Sequence, residues 1–146
     1  MKNTGKIILG AIAYLIIAQV LHFASIFLTM DYYLDSNYFG VWSKTMMPAA
    51  GAPPMEFYYY SIAFGFVVGL IYSYIYSKVS DFMKAPTVVK KGLKFGFAIF
   101  LIAGIPFFFT MYLLINLPLG LLLYWLFIDG LLTYLLGGLA IAWIQK

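Results

Sequence analysis

Four long apolar runs decide what this chain can fold into: residues 7–29, 57–77, 93–115 and 119–144. Each holds about 20 residues or more, enough as a helix to cross a hydrocarbon core about 30 Å thick. A small water-soluble domain has too little interior to hide so much apolar surface. Composition agrees, since 64% of the 146 residues are hydrophobic and only 10% are charged, against roughly a quarter charged in soluble domains. The expected fold is all-α: a single-domain integral membrane four-helix bundle with antiparallel, up-down helices. Asn116, Leu117 and Pro118 alone separate the last two runs, and so short a turn forces them into a hairpin.

Charge sets the expected orientation. All nine basic residues are lysines, so the planar, bidentate capture of carboxylate or phosphate that arginine provides is absent. Lys2 and Lys6 precede the first span, Lys78, Lys84, Lys90, Lys91 and Lys94 crowd the second connection, and Lys146 ends the chain. Lys44 stands alone in the first connection. By the positive-inside rule both termini and the connection over residues 78–92 are cytoplasmic, and the connection over residues 30–56 faces outward, in a multi-pass protein of the cell's inner (plasma) membrane. The first run, with its basic head and "AIA" triplet, is too long for a cleaved secretory signal and reads as an uncleaved anchor.

The outer connection begins with Tyr32, Tyr33, Tyr38, Phe39 and Trp42, rings suited to the headgroup zone. They form either a cap on the bundle or a lip over a ligand site. The inner connection interleaves lysines with Val79, Phe82, Met83, Val88 and Val89, a pattern that can rest on anionic lipid. Pro86 interrupts it. Tyr124, Trp125 and Trp143 sit toward the ends of the fourth span as interface anchors would.

Helices in lipid approach closely through small residues. In the second span Ser61, Gly65, Gly69, Ser73 and Ser77 recur every four residues and share one face, predicted to meet another helix of the chain or a second copy. Gly137 and Gly138, with Ala142, offer a similar contact in the fourth span. Pro106 removes a backbone donor and crowds the carbonyl of Ile102, so the third helix is expected to bend there.

Within the fourth span, "WLFIDGLLTYLLGG" places Asp129 about ten residues from the outer end, roughly 15 Å deep. A charged aspartate at that depth costs about 2.5 to 3.5 kcal/mol on insertion scales. It must therefore face the bundle interior, be protonated, or find a partner. His22 and Gln19 of the first span fall within roughly 5 Å of the same level, and Thr110 and Ser25 can add hydrogen bonds. His22 also continues a four-residue series with Gly10, Tyr14 and Ala18. The residues Asp129, His22, Gln19 and Thr110 form either a polar pin between helices or a ligand or proton site.

Several chemistries are excluded or disfavoured. The chain has no cysteine, which removes disulfides, thiolate metal sites and cysteine nucleophiles. One histidine beside one midspan carboxylate falls short of a catalytic metal site, so no metal or cofactor is assigned. Ser25, His22 and Asp129 lack a nucleophile elbow or oxyanion feature. No glycine-rich phosphate loop is present, and the lysines form no nucleic-acid face. A transporter would normally carry repeats and several polar groups along a path.

The segments "GLKFG" at Gly92 to Gly96, "W…DG" at Trp125 to Gly130 and "GGL" at Gly137 to Leu139 resemble a broad class of small four-span bacterial and archaeal membrane proteins of unassigned function. That resemblance covers about the last third of the chain and implies a compact helical bundle with no known reaction. The expected function is a non-enzymatic accessory, assembly or interaction subunit, with membrane lipids and a homo-oligomer or larger membrane complex as partners. The alternative is a small carrier or binder of a lipid-like or protonated ligand at Asp129 and His22.

Overall fold

The computed structural model describes residues 2–49 and 52–146; Met1 and, within the expected outer connection, Ala50 and Gly51 lie outside the described residues. The fold is all-α, with 82% of the chain helical and no strand among the described residues. Helix α1 spans Lys2–Leu28, followed by a short α2 over Met30–Leu34 and a 3-10 segment over Ser36–Val41. Helix α3 runs over Met55–Val79. The third apolar run comprises α4 (Val88–Ile99), a π-helical turn (Phe100–Gly104) and α5 (Ile105–Leu114). The fourth comprises α6 (Leu119–Tyr124), a π-helical stretch (Trp125–Leu132) and α7 (Thr133–Gln145). Four continuous helices, Thr4–Leu28, Met55–Val79, Val88–Leu114 and Leu119–Gln145, are thus long and apolar enough to cross a membrane.

Two element boundaries differ from the sequence reading. The third helix begins at Val88 and not near Leu93, because the Thr87 hydroxyl accepts the Lys90 N–H at 3.2 Å and caps its first turn. Lys90, Lys91 and Lys94 therefore ride on the helix and shorten the second connection. The start of the first connection is ordered as α2 and the 3-10 segment, where the Asp35 side chain accepts the Asn37 N–H at 2.9 Å. At Pro106 the disturbance appears in the hydrogen-bond register: Ile105 N–H donates to Phe100 C=O, five residues back. The widened turn lies directly before the proline, which cannot make its own bond to Ile102.

The long helices lie side by side in the order second, first, fourth, third, with α1 between α3 and α7, and α4 on the other flank of α7. Tyr76 and Phe95 bring the second and third helices together at one end, their ring centroids 5.1 Å apart. Lys6 Nζ donates to the Lys146 backbone oxygen at 2.7 Å, so the start of the first helix and the end of the fourth share one end of the molecule.

Small residues set the helix contacts. A Cβ at Gly69 would stand 2.7 Å from the Ala11 carbonyl oxygen, so the α3 stripe lies against the α1 backbone. Gly137 lies beneath the Tyr14 ring, and a Cβ at Gly138 would come 2.7 Å from the Gly92 carbonyl oxygen. Gly96 meets the Tyr134 carbonyl in the same seam. Tyr14, Tyr76, Phe95, Ile141 and Ala142 make the core. Outside it, large apolar side chains such as Ile16, Phe27, Phe64, Ile102 and Leu114 point away from the protein.

Candidate functional site

Asp129 sits inside the π-helical stretch of the fourth helix, and α1 carries His22 to it. His22 Nδ1 lies 3.3 Å from Asp129 Oδ1. That separation is long for a charge-assisted bond, which settles nearer about 2.7–2.9 Å. The Asp129 side chain is 19% exposed and that of His22 33%, while Asp129 Oδ2 is buried with no hydrogen-bond partner. An acceptor shielded from water and left unpaired costs about 1–3 kcal/mol, which a donor brought to the Asp129 carboxylate would relieve once the side chain turns.

Space for such a donor exists. A cavity of about 240 Å³ is lined by His22, Phe107, Phe108, Trp125, Asp129, Gly130 and Tyr134. It lies in the cleft between α1 and α5, which both rest on the fourth helix without packing closely on each other. Its wall is aromatic and its polar edge is the His22–Asp129 pair. Gly130 permits this geometry, since a Cβ there would stand 2.7 Å from Phe108 Cε2. Each π-helical segment is followed by a hydroxyl that bonds backward: Thr133 Oγ1 donates to Ile128 C=O at 3.3 Å, and Thr110 Oγ1 to Pro106 C=O at 2.8 Å. π-Helical turns of this type recur at functional sites.

The remaining sequence candidates separate. Gln19 does not reach Asp129; its Nε2 donates to Ser61 Oγ at 3.1 Å and ties α1 to α3. Thr110 is exposed and bonds its own helix. Ser25 is buried, its carbonyl accepting the Thr29 hydroxyl at 2.6 Å, and its own Oγ has no partner. Equal depth along two helices does not fix which way each side chain points, and that is why Gln19 and His22 part company. Ser61 and Ser73 serve as polar clasps: Ser73 Oγ donates to Ile7 C=O and accepts from Gln145 Nε2, both at 2.8 Å. Gly65 approaches the Leu15 side chain at the same interface.

Above the cavity, toward the 116–118 turn, the first connection folds back as a cap. Trp125 Nε1 donates to Tyr33 Oη at 3.2 Å, and Tyr33 stacks on Trp42 with centroids 4.9 Å apart. Burial pushes the Tyr33 hydroxyl above its ordinary value, opposed in part by the Trp125 bond. Trp125, read from sequence as an interface anchor, links this cap to the cavity wall. Phe108, Tyr134 and Gln145 were not singled out from sequence. An aromatic in an aromatic-rich helix carries no signal of its own, and Gln145 could be noticed only as the last polar residue of the run.

No family model, curated protein or solved structure matches this chain.

Proposed function

We propose that this chain is a four-span protein of the inner (plasma) membrane, with both termini cytoplasmic, that binds a hydrogen-bond-donating ligand between Asp129 and His22 without chemically transforming it. The observation that carries the reading is Asp129, which lines a 240 Å³ cavity beside His22 and keeps one carboxylate oxygen unpaired. A ligand cation or protonated amine fits it best, because a carboxylate attracts positive charge most strongly where water is scarce. The small-residue stripe of α3 packs against α1 within the chain. The apolar exterior of the four helices supports direct contact with lipid.

Fluorescence of Trp125 in phosphatidylcholine nanodiscs, with Trp42 and Trp143 changed to Phe, tests the site. Butylamine is expected to alter the emission saturably, and Asp129→Asn to abolish the response. An identical response in both proteins would refute the reading. Orientation is checked separately with thiol reagents, since the chain has no cysteine: Ser43→Cys should label from outside intact cells and Lys84→Cys should not.

A further inference from the structure

This inference rests on the reading of Asp129 as the holder of a donor-bearing head, and it names the rest of the ligand. The 240 Å³ cavity alone is smaller than the roughly 300 Å³ at which organic-ligand pockets begin. A second space of about 250 Å³ adjoins it, walled on α5 by Ile105, Phe109 and Tyr112 and on the fourth helix by Leu119, Leu122 and Leu126. Phe108 lines both spaces. Its ring also rests on Gly130, the neighbour of Asp129. With the Phe108 ring turned aside, the two spaces together would enter the ligand-pocket range.

The sequence explains why the helical hairpin gapes at this point. Near the end that holds the termini, Gly92, Gly96 and Gly138 bring the third and fourth helices into backbone contact. Beyond the π-helical turns the small residues give way to Phe107, Phe108 and Phe109, and α5 and α6 stand apart. Of the two spaces on either side of Phe108, one is therefore almost wholly apolar and the other is edged by a carboxylate. No lysine lines either space, and Trp125 Nε1–H is already given to Tyr33. An anionic head finds no lysine there, whereas an ammonium finds the Asp129 carboxylate in the cavity wall.

We propose that the slot between α5 and α6 takes the hydrocarbon tail of a single-chain amphiphile whose protonated amine head sits against Asp129. The tail passes Phe108, whose side chain separates the two spaces. A lipid-derived long-chain amine is the matching chemical class, and it can enter sideways from the bilayer through the cleft between α1 and α5.

The test compares dodecylamine, butylamine, dodecanol and dodecanoate in the same Trp125 nanodisc titration. Leu123→Phe places bulk in the slot at a half-exposed position, and Leu126→Phe repeats this deeper in, with thermal melts verifying that both variants fold. Both substitutions are expected to weaken dodecylamine by about tenfold or more and to leave butylamine unchanged. That control also removes the simple enrichment of long chains in the bilayer. Asp129→Asn should remove the response to both amines. Loss of butylamine with Asp129→Asn, but no effect of either slot variant on dodecylamine, would overturn the tail site and leave the head site standing. Dodecanol or dodecanoate binding as tightly as dodecylamine would overturn the amine assignment. No Asp129-dependent response to either amine would overturn both readings.

Discussion

His22 Nδ1 stands 3.3 Å from Asp129 Oδ1, a contact that joins residues 107 apart in sequence across the first and fourth helices. It ties the one histidine of the chain to its one midspan carboxylate, and it leaves half of that carboxylate unused. A double-mutant cycle with His22→Ala and Asp129→Ala should give a coupling energy of about 0.6 to 1.7 kcal/mol, the span found for hydrogen bonds between membrane helices. Asp129→Asn should retain most of the stability in SDS unfolding, because an amide can still face the imidazole, and Asp129→Leu should not. Zero coupling would mean that the two side chains do not interact.

Gly96 faces backbone that has no freedom to withdraw: a Cβ there would lie 2.9 Å from Leu135 Cα, besides meeting the Tyr134 carbonyl. Gly96→Ala is expected to lower stability by about 1–3 kcal/mol through overpacking. Gly5 has nothing within 4 Å of its would-be Cβ, so Gly5→Ala should be neutral or gain up to about 1 kcal/mol from helix propensity. Equal melting shifts for the two variants would refute the tight seam between the third and fourth helices.

Gln145 ends the fourth helix by donating from Nε2 to both the carbonyl and the hydroxyl of Ser73, each at 2.8 Å. Gln145→Leu removes both bonds and should cost about 1–2 kcal/mol. Ser73 would still donate to Ile7 C=O, so α1 and α3 stay together while α7 loosens. Hydrogen exchange should rise in residues 141–145 and not in 66–73. Faster exchange in both segments would show that the clasp does not act locally.

Burial keeps the Tyr33 phenol protonated beyond the ordinary tyrosine value of about 10. A folded value raised above the unfolded one gives stability that is fully present below about pH 10 and is lost as pH rises through the folded value. The cap of Tyr33, Trp42 and Trp125 should therefore hold a constant tryptophan emission up to about pH 10 and change above it. Tyr33→Phe should remove that alkaline step, and its survival in the variant would assign it to another group.

The sequence by itself determined the four long helices, the hairpin at Asn116–Pro118 and the small-residue stripe from Ser61 to Ser77. Each follows from local chemistry: a run of apolar residues too large for a small core, a turn too short to do anything but reverse the chain, and a four-residue spacing that shares one helix face. It also marked Asp129, because the cost of a carboxylate in an apolar helix exists before any neighbour is known. Tertiary structure alone decided that α1 lies between α3 and α7, and that His22 meets Asp129 while Gln19 turns to Ser61. It also decided that the third and fourth helices part around Phe108 in the halves next to the 116–118 turn. Sequence gives a residue's height along its helix, but the azimuth of its side chain depends on which helices pack on it and on register changes such as those at Phe100–Gly104 and Trp125–Leu132. A cavity is a property of several such azimuths at once, so its existence could be decided only when the helices were assembled.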